Sequence, residues 1–309
     1  MAASVRALSP SVAKYSRRAV QRNLLAWALI GPIVILFVFF FYGPVVYAFF
    51  LSLTEWSGGL RPPIFIGLEN YRKLAMQDEV FRHAFNNTVL YSIMSVIPGV
   101  FGGLAIALML NYDNGPHIKV FRFAYFVPVV TSAAIMAIVW RFLFQPTNGL
   151  LNTLIGYIGI GPQLWLLDEA QALPAIAVTA IWRQVGFTMI IFLAGLQGIS
   201  DTYYEAAKID GANRWQLFRH ITWPLLTPTT FFVIVTSIIS SFQVFDSVRV
   251  MTRGGPVDST NVIVYNIFQN AFETFAMGYG SAIAFVLFIC ILLLTLFQFQ
   301  VLGKRVNYE

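Results

Sequence analysis

The 309 residues have a composition that excludes a water-soluble globule: 58% are apolar, 11% are charged, and mean hydropathy is +0.70. Aromatics reach 16%, with 29 Phe, so burying all the apolar surface in one core would leave too few polar residues to cover the exterior. The net charge of +6 comes from Lys and Arg spread over short loops and a tail, without the aromatic-interleaved basic patch that nucleic acid needs; a membrane protein's basic inner loops explain it. Cys290 is the single cysteine, which excludes a disulfide framework, a Cys-rich zinc site and a CxxC redox pair.

Crossing a bilayer takes ~20 mostly apolar residues, because backbone groups inside have no water to bond. Six stretches meet that requirement, so the chain reads as an all-α, polytopic membrane protein with six transmembrane helices. Residues 24–54 are uncharged and carry Pro32, Gly43 and Pro44; their length predicts tilt or an interfacial extension. Residues 84–112, 123–140 and 170–200 follow, the last interrupted only by Arg183, and then 221–245 and 274–303. Arg6, Lys14, Arg17, Arg18 and Arg22 precede the first stretch, but its length and the lack of a small-residue cleavage site argue for a retained helix, not a signal peptide. The organisation is therefore a tail (1–23), a first helix (24–54), an outer segment (55–83), a five-helix core (84–303) and a short tail (304–309).

An even number of spans puts both termini on one side. Placing the tails, Lys119, Arg122, Lys208, Arg214, Arg219, Lys304 and Arg305 inside collects 12 of the 20 basic residues, against five outside: Arg61, Arg72, Lys73, Arg82 and Arg253. The termini are thus expected in the cytoplasm. Residues 146–162 are apolar but carry Gly149, Gly156, Gly159 and Gly161, and read as a short interfacial or re-entrant element on the outer face. If they crossed, every later loop would change side.

The inner loop 200–228 reads as two small helices. Thr202 and Glu205 have the spacing of a capping box, Ala206-Ala207-Lys208-Ile209-Asp210 continues the helix, and Gly211 can stop it with a positive φ. A second helix is expected from Ala212 or Asn213, with Trp215, Phe218 and Ile221 on one side and Pro224 and Pro228 delimiting the next span.

The order Glu205-Ala206-Ala207, Asp210-Gly211-Ala212, Ile221 and Pro224 resembles the EAA loop of permease subunits in binding-protein-dependent ATP-binding-cassette importers. Over roughly residues 24–303 the chain is similar to the sugar branch of that family, the first maltose or glycerol-3-phosphate permease subunit. The pieces that carry this are Ile66-Gly67-Leu68-Glu69-Asn70-Tyr71, Phe121-Arg122 before Pro128, Trp140-Arg141-Phe142, and Gly254-Gly255-Pro256 followed by Thr260, Tyr265 and Ala271-Phe272. Trp223 stands where that pattern more often has Leu, and the large outer domain of the maltose subunit is missing.

The resemblance implies a MetI-like core in a bacterial cytoplasmic (inner) membrane. It implies as partners a second, related permease subunit, two copies of an ATPase and an extracytoplasmic solute-binding protein, with lipid around the helices and a sugar or polyol as cargo. Glu205, Ala206, Ala207, Asp210, Gly211 and Ala212 would then dock on the ATPase: the small residues allow close approach, the two carboxylates offer charge-assisted bonds, and a rigid plug transmits displacement. The local alternative is that Glu205 only caps and Gly211 only terminates. ATP and Mg would belong to the partner ATPase, with no cofactor on this chain. No stretch matches G-x-x-x-x-G-K-[ST], H-E-x-x-H or G-x-S-x-G, and His83, His117 and His220 sit in separate loops, so no catalytic or metal-binding residue is assigned.

Ionisable groups at membrane depth cost roughly 2.5–3.5 kcal/mol at a helix centre and so face protein or a wet cavity. Arg183 is the deepest, followed by Gln184; Ser240, Ser241, Gln243 and Asp246 add hydrogen-bonding groups near Phe242 and Phe245. Together they suit a polyol path. Against this, Arg183 could bind backbone carbonyls, Asp246 and Arg249 could pair at three-residue spacing, and the Ser residues could merely join helices. A self-sufficient ion-coupled carrier is the alternative function, and would require an inverted repeat or a row of intramembrane carboxylates that the sequence does not display.

Overall fold

The computed structural model describes residues 17–112 and 115–303. Arg6, Lys14, Lys304 and Arg305, which weigh in the orientation argument, lie outside the described residues. Two compact units divide the chain at Phe50 and Leu51.

The first unit is one long helical rod. Helix α1 (Arg17–Phe37) passes through Pro32 into a π-helical turn, Val38–Tyr42, and continues as α2 (Gly43–Ser52). The π turn falls on Val-Phe-Phe-Phe-Tyr, and the rings of Phe37 and Phe41 stack at 4.8 Å. From Leu24 to Phe50 its large apolar side chains are exposed, as expected where lipid is the solvent.

The second unit opens with a two-residue antiparallel pairing of β1 (Thr54–Glu55) and β2 (Ile64–Phe65), followed by α3 (Glu69–Met76). Asn70 makes this segment rigid: its Nδ2 donates to the carbonyls of Ser52 and Thr54, each at 2.9 Å. Helix α4 (Glu79–Asn111) starts at Asp78, whose carboxylate accepts from Phe81 N at 2.8 Å. Helices α5 (Pro116–Val130), α6 (Ala133–Leu143) and the short α7 (Leu150–Gly156) come next. Helix α8 (Glu169–Gln197) is capped by Asp168, which accepts from Ala170 N and Gln171 N. Then follow α9 (Asp201–Ile209), α10 (Arg214–Leu217), α11 (Trp223–Leu225), α12 (Thr227–Phe242), α13 (Asp246–Met251), α14 (Ile263–Phe268) and α15 (Met277–Val301).

Small residues bring these helices together, since lipid tails give apolar surfaces no reason to prefer one another. A Cβ added to Gly103 of α4 would overlap the Thr188 hydroxyl of α8, and one on Gly99 would overlap Gln184. Gly186 lies against the Tyr125 carbonyl of α5, and Gly195 against Thr229 of α12. Thr188 turns the close approach into a bond, with its hydroxyl 2.8 Å from the Gly99 carbonyl oxygen. Above this, Ile176, Val248 and Tyr265 are buried in one apolar cluster; below it, Met189, Phe192 and Leu226 are buried in another.

Among the described residues five helices are long and apolar enough to cross a membrane, and the number rises to six when a bent pair is taken as one span. That pair corrects the reading of 123–140 as one straight helix. The residues form the end of α5 and most of α6, with a 103° bend between them. Pro128 removes a backbone donor near the end of α5, the Thr131 hydroxyl bonds the Val127 carbonyl at 2.8 Å, and Thr131 and Ser132 are extended, so α6 starts afresh at Ala133. The fifth expected span is also broken: 221–245 divides into part of a π turn (Phe218–Thr222), α11 and α12, and the backbone opens at Gln243 before α13. Helix α7, seven residues and about 10 Å long, is too short to cross. Asn152 folds the 146–162 segment onto itself, donating to the Pro146 and Gln163 carbonyls and accepting from Trp165 Nε1 at 2.7 Å.

Candidate functional site

Both broken spans face one cavity. Backbone that leaves the helix at membrane depth is tolerated only where protein covers it or water reaches it. Val129 and Ala133 from the α5–α6 bend and Gln243 to Ser247 from the α12–α13 break line the same space of about 360 Å³, with Tyr91 and Ser95 of α4 and Thr179, Arg183 and Gln184 of α8. Arg183 is the fifteenth of the 29 residues of α8, so the cavity lies about 21 Å from either end of that helix.

All six residues expected along a polar path line this cavity, but the structure divides them by what they bond. Gln184 Nε2 lies 2.5 Å from Ser237 Oγ, joining α8 to α12, and the buried Ser241 Oγ lies 2.9 Å from Ser92 Oγ of α4 and 2.8 Å from the Ile238 carbonyl. These two hold helices together. Arg183, Ser240, Gln243 and Asp246 are exposed at the cavity, and among the described residues their side chains hold no hydrogen bond or ion pair. Among the described residues Arg183 thus makes no hydrogen bond to a carbonyl or to another helix. Nor do Asp246 and Arg249 pair. Arg249 instead binds Glu273 at 2.7 Å and lies over the Phe268 ring at 4.8 Å, because α14 and the π turn after it (Gln269–Glu273) supply a carboxylate and an aromatic face that sequence spacing could not reveal. Asp246, at the first turn of α13, is left free for the cavity. Trp182, Phe187 and Phe245 add aromatic surface.

Tyr91, Ser95, Thr179 and Ser237 line the cavity without having been singled out. The spacing of four between Tyr91 and Ser95 does place them on one face of α4, a polar stripe legible in an otherwise apolar helix.

At the far end of α8 the chain turns into α9. The cap is Ser200, which accepts from Thr202 N at 3.4 Å, so the expected Thr202–Glu205 capping box is not formed. Thr202 already lies inside the helix, which frees Glu205 to face solvent. The reciprocal box forms one helix later: Asn213 Oδ1 accepts from Gln216 N at 3.0 Å, and Gln216 Oε1 from Asn213 N at 2.8 Å. Gly211 between the helices has φ +81°, and Ala212 N closes the turn on the Ala207 carbonyl at 2.9 Å. Helix α9 buries no residue. Glu205, Ala206, Asp210 and Gly211 are exposed and Ala207 and Ala212 half-buried, beside Ile209 at 87% and Trp215 at 65% exposure. The element is thus ordered and capped at both helices, with Ile209 and Trp215 uncovered on it.

Residues 99–308 match the family model described as the inner membrane component of binding-protein-dependent transport systems. The chain belongs to that family. This permease component is 33% identical over 93% of its length to the sn-glycerol-3-phosphate transport system permease protein UgpA of Agrobacterium fabrum, covering 97% of that protein. It is also 33% identical to the arabinooligosaccharides transport system permease protein AraP of Bacillus subtilis, over 89% of this chain and 87% of that one. Among solved structures it is similar to a chain of a bacterial alginate ABC transporter in complex with an alginate pentasaccharide-bound periplasmic protein. The TM-score is 0.80 and the identity 25%, over 92% of this chain and 96% of that one. The component is thus a multi-pass membrane protein of an ABC import system.

Proposed function

We propose that this permease component carries a sugar, oligosaccharide or related polyol across the bacterial cytoplasmic membrane, with both termini cytoplasmic. A second related permease subunit, two ATPase subunits that use ATP and Mg, and an extracytoplasmic binding protein complete the transporter. The relatives' cargoes, arabinooligosaccharides and alginate, support the sugar class. The observation that carries the reading is the cavity between two broken spans, with Arg183, Ser240, Gln243 and Asp246 unbonded in it. A polyhydroxylated solute needs many donors and acceptors plus apolar faces, and these four groups with Trp182 and Phe245 offer both.

Glu205, Ala206, Ala207, Asp210, Gly211 and Ala212 dock on the ATPase. The absence of any buried residue in α9 and the left-handed Gly211 support this, since the element is ordered yet its first helix stays uncovered among the described residues. The test is reconstitution with the candidate second permease, ATPase and binding protein, using labelled arabinotriose and glycerol-3-phosphate as probes. ATP-dependent uptake that requires every subunit is the predicted result. Uptake by this chain alone, driven by an ion gradient, would establish the secondary-carrier alternative instead.

A further inference from the structure

We propose that Arg214 and Tyr112 form a latch that binds the two-helix element to α4, so that the element, α4 and α8 move as one body. The proposal rests on the coupling reading above and supplies positioning residues for it. Arg214 opens α10, and Tyr112 is the residue at which α4 ends. Across 102 residues of sequence, the Arg214 guanidinium donates to the Tyr112 hydroxyl at 2.7 Å and lies 4.9 Å from the centre of its ring. Among the described residues this is the one side-chain hydrogen bond between α9 or α10 and α4. It falls at a helix C-terminus, where a cation is favoured.

The position matters because α9 joins α8 through the short turn Gly198 to Ser200, its Tyr204 bonds Thr222, and α10 runs on through the π turn into α11, so Arg214 adds the tie to the end of α4. Helix α8 is locked to α4 through Gly103, Gly99 and Thr188, and α4 carries Tyr91 and Ser95 into the cavity wall. From Tyr112 to Ser95 is seventeen residues of one helix, about 26 Å, with Pro98 at the cavity end. With the latch closed, a push on α9 reaches the cavity along two helices. With it open, the push loses its direct route into α4.

The test uses nitroxide labels on Met109→Cys and Arg219→Cys in a Cys290→Ala background, in the assembled complex in nanodiscs, with double electron–electron resonance distances read with and without ATP. Met109 and Arg219 are exposed, and neither makes the latch bond. A single narrow distance, unchanged by ATP, is expected for the native latch; Arg214→Ala and Tyr112→Leu should each lose the narrow peak while the ATPase still co-purifies. Arg214→Lys, which keeps a cation over the ring, should recover part of it. A native-width peak in both loss variants would overturn the proposal, as would ATP separating the labels in the native complex. Loss of the ATPase with the narrow peak retained would make Arg214 a docking residue and also overturn it. Absence of the ATPase from the native complex would fail the coupling reading alone, since the two-label distance in the permease still decides whether the latch exists.

Discussion

Replacing Gly103 by Val should damage the scaffold of the cavity more than any other single methyl-scale change on α4. The new Cβ would overlap the Thr188 hydroxyl and lie 2.9 Å from the Met189 amide nitrogen, which is helix backbone and cannot rotate away. Overpacking of this kind costs about 1–3 kcal/mol. The displaced Thr188 hydroxyl also loses its bond to the Gly99 carbonyl, an interhelical contact of roughly 0.6 kcal/mol by membrane double-mutant cycles. The total, about 1.6–3.6 kcal/mol, lowers the folded-to-unfolded ratio roughly 15- to 440-fold. Reversible unfolding in mixed micelles of rising SDS content measures it, with Gly156→Val as the control, because nothing lies within 4 Å of a Cβ there. Equal unfolding midpoints for the two variants would refute the claim that glycine-mediated contact of α4 with α8 holds the cavity wall.

Gly211→Leu should cost about 1–2 kcal/mol of backbone strain at φ +81° and weaken ATPase association, whereas Gly211→Asn, which tolerates that region, should recover most of it in co-purification. Gln243→Ala and Asp246→Ala should each lower uptake of the transported probe at unchanged expression; normal uptake with unchanged specificity in both would remove them from the path. Gln184→Leu and Ser241→Ala, which remove interhelical bonds, should instead lower thermal stability, by about 0.5–1.5 kcal/mol each. The Arg249–Glu273 pair is over a third exposed on both sides, so Glu273→Gln should cost no more than about 1 kcal/mol in the same unfolding assay and fade with added salt.

How much of this was readable in advance follows from the range of each interaction. Long uncharged runs located the spans because lipid acts on every residue of a crossing helix, and the alanine and glycine spacing of 205–212 located the two-helix element because its turns are local. The 103° bend was missed because Pro128 alone does not distinguish a kinked helix from a broken one; the extended backbone at Thr131 and Ser132 decides it. The cap of α9 was misplaced by two residues, since both Ser200 and Thr202 are competent caps and only the point where α8 releases the chain chooses between them. In the cavity, residue type picked out polar groups that line one space but not their partners. Whether Ser241 meets Ser92 or Arg249 meets Glu273 depends on helices far apart in sequence.

The measurement closest to the central claim is site-specific photocross-linking from Ile209, the most exposed apolar residue of α9, in the intact transporter. The account predicts a covalent adduct with the cytoplasmic ATPase subunit, lost when that subunit is omitted. Capture of the extracytoplasmic binding protein from the same position, or labelling of Ile209→Cys by an impermeant thiol reagent added outside the cell, would contradict it.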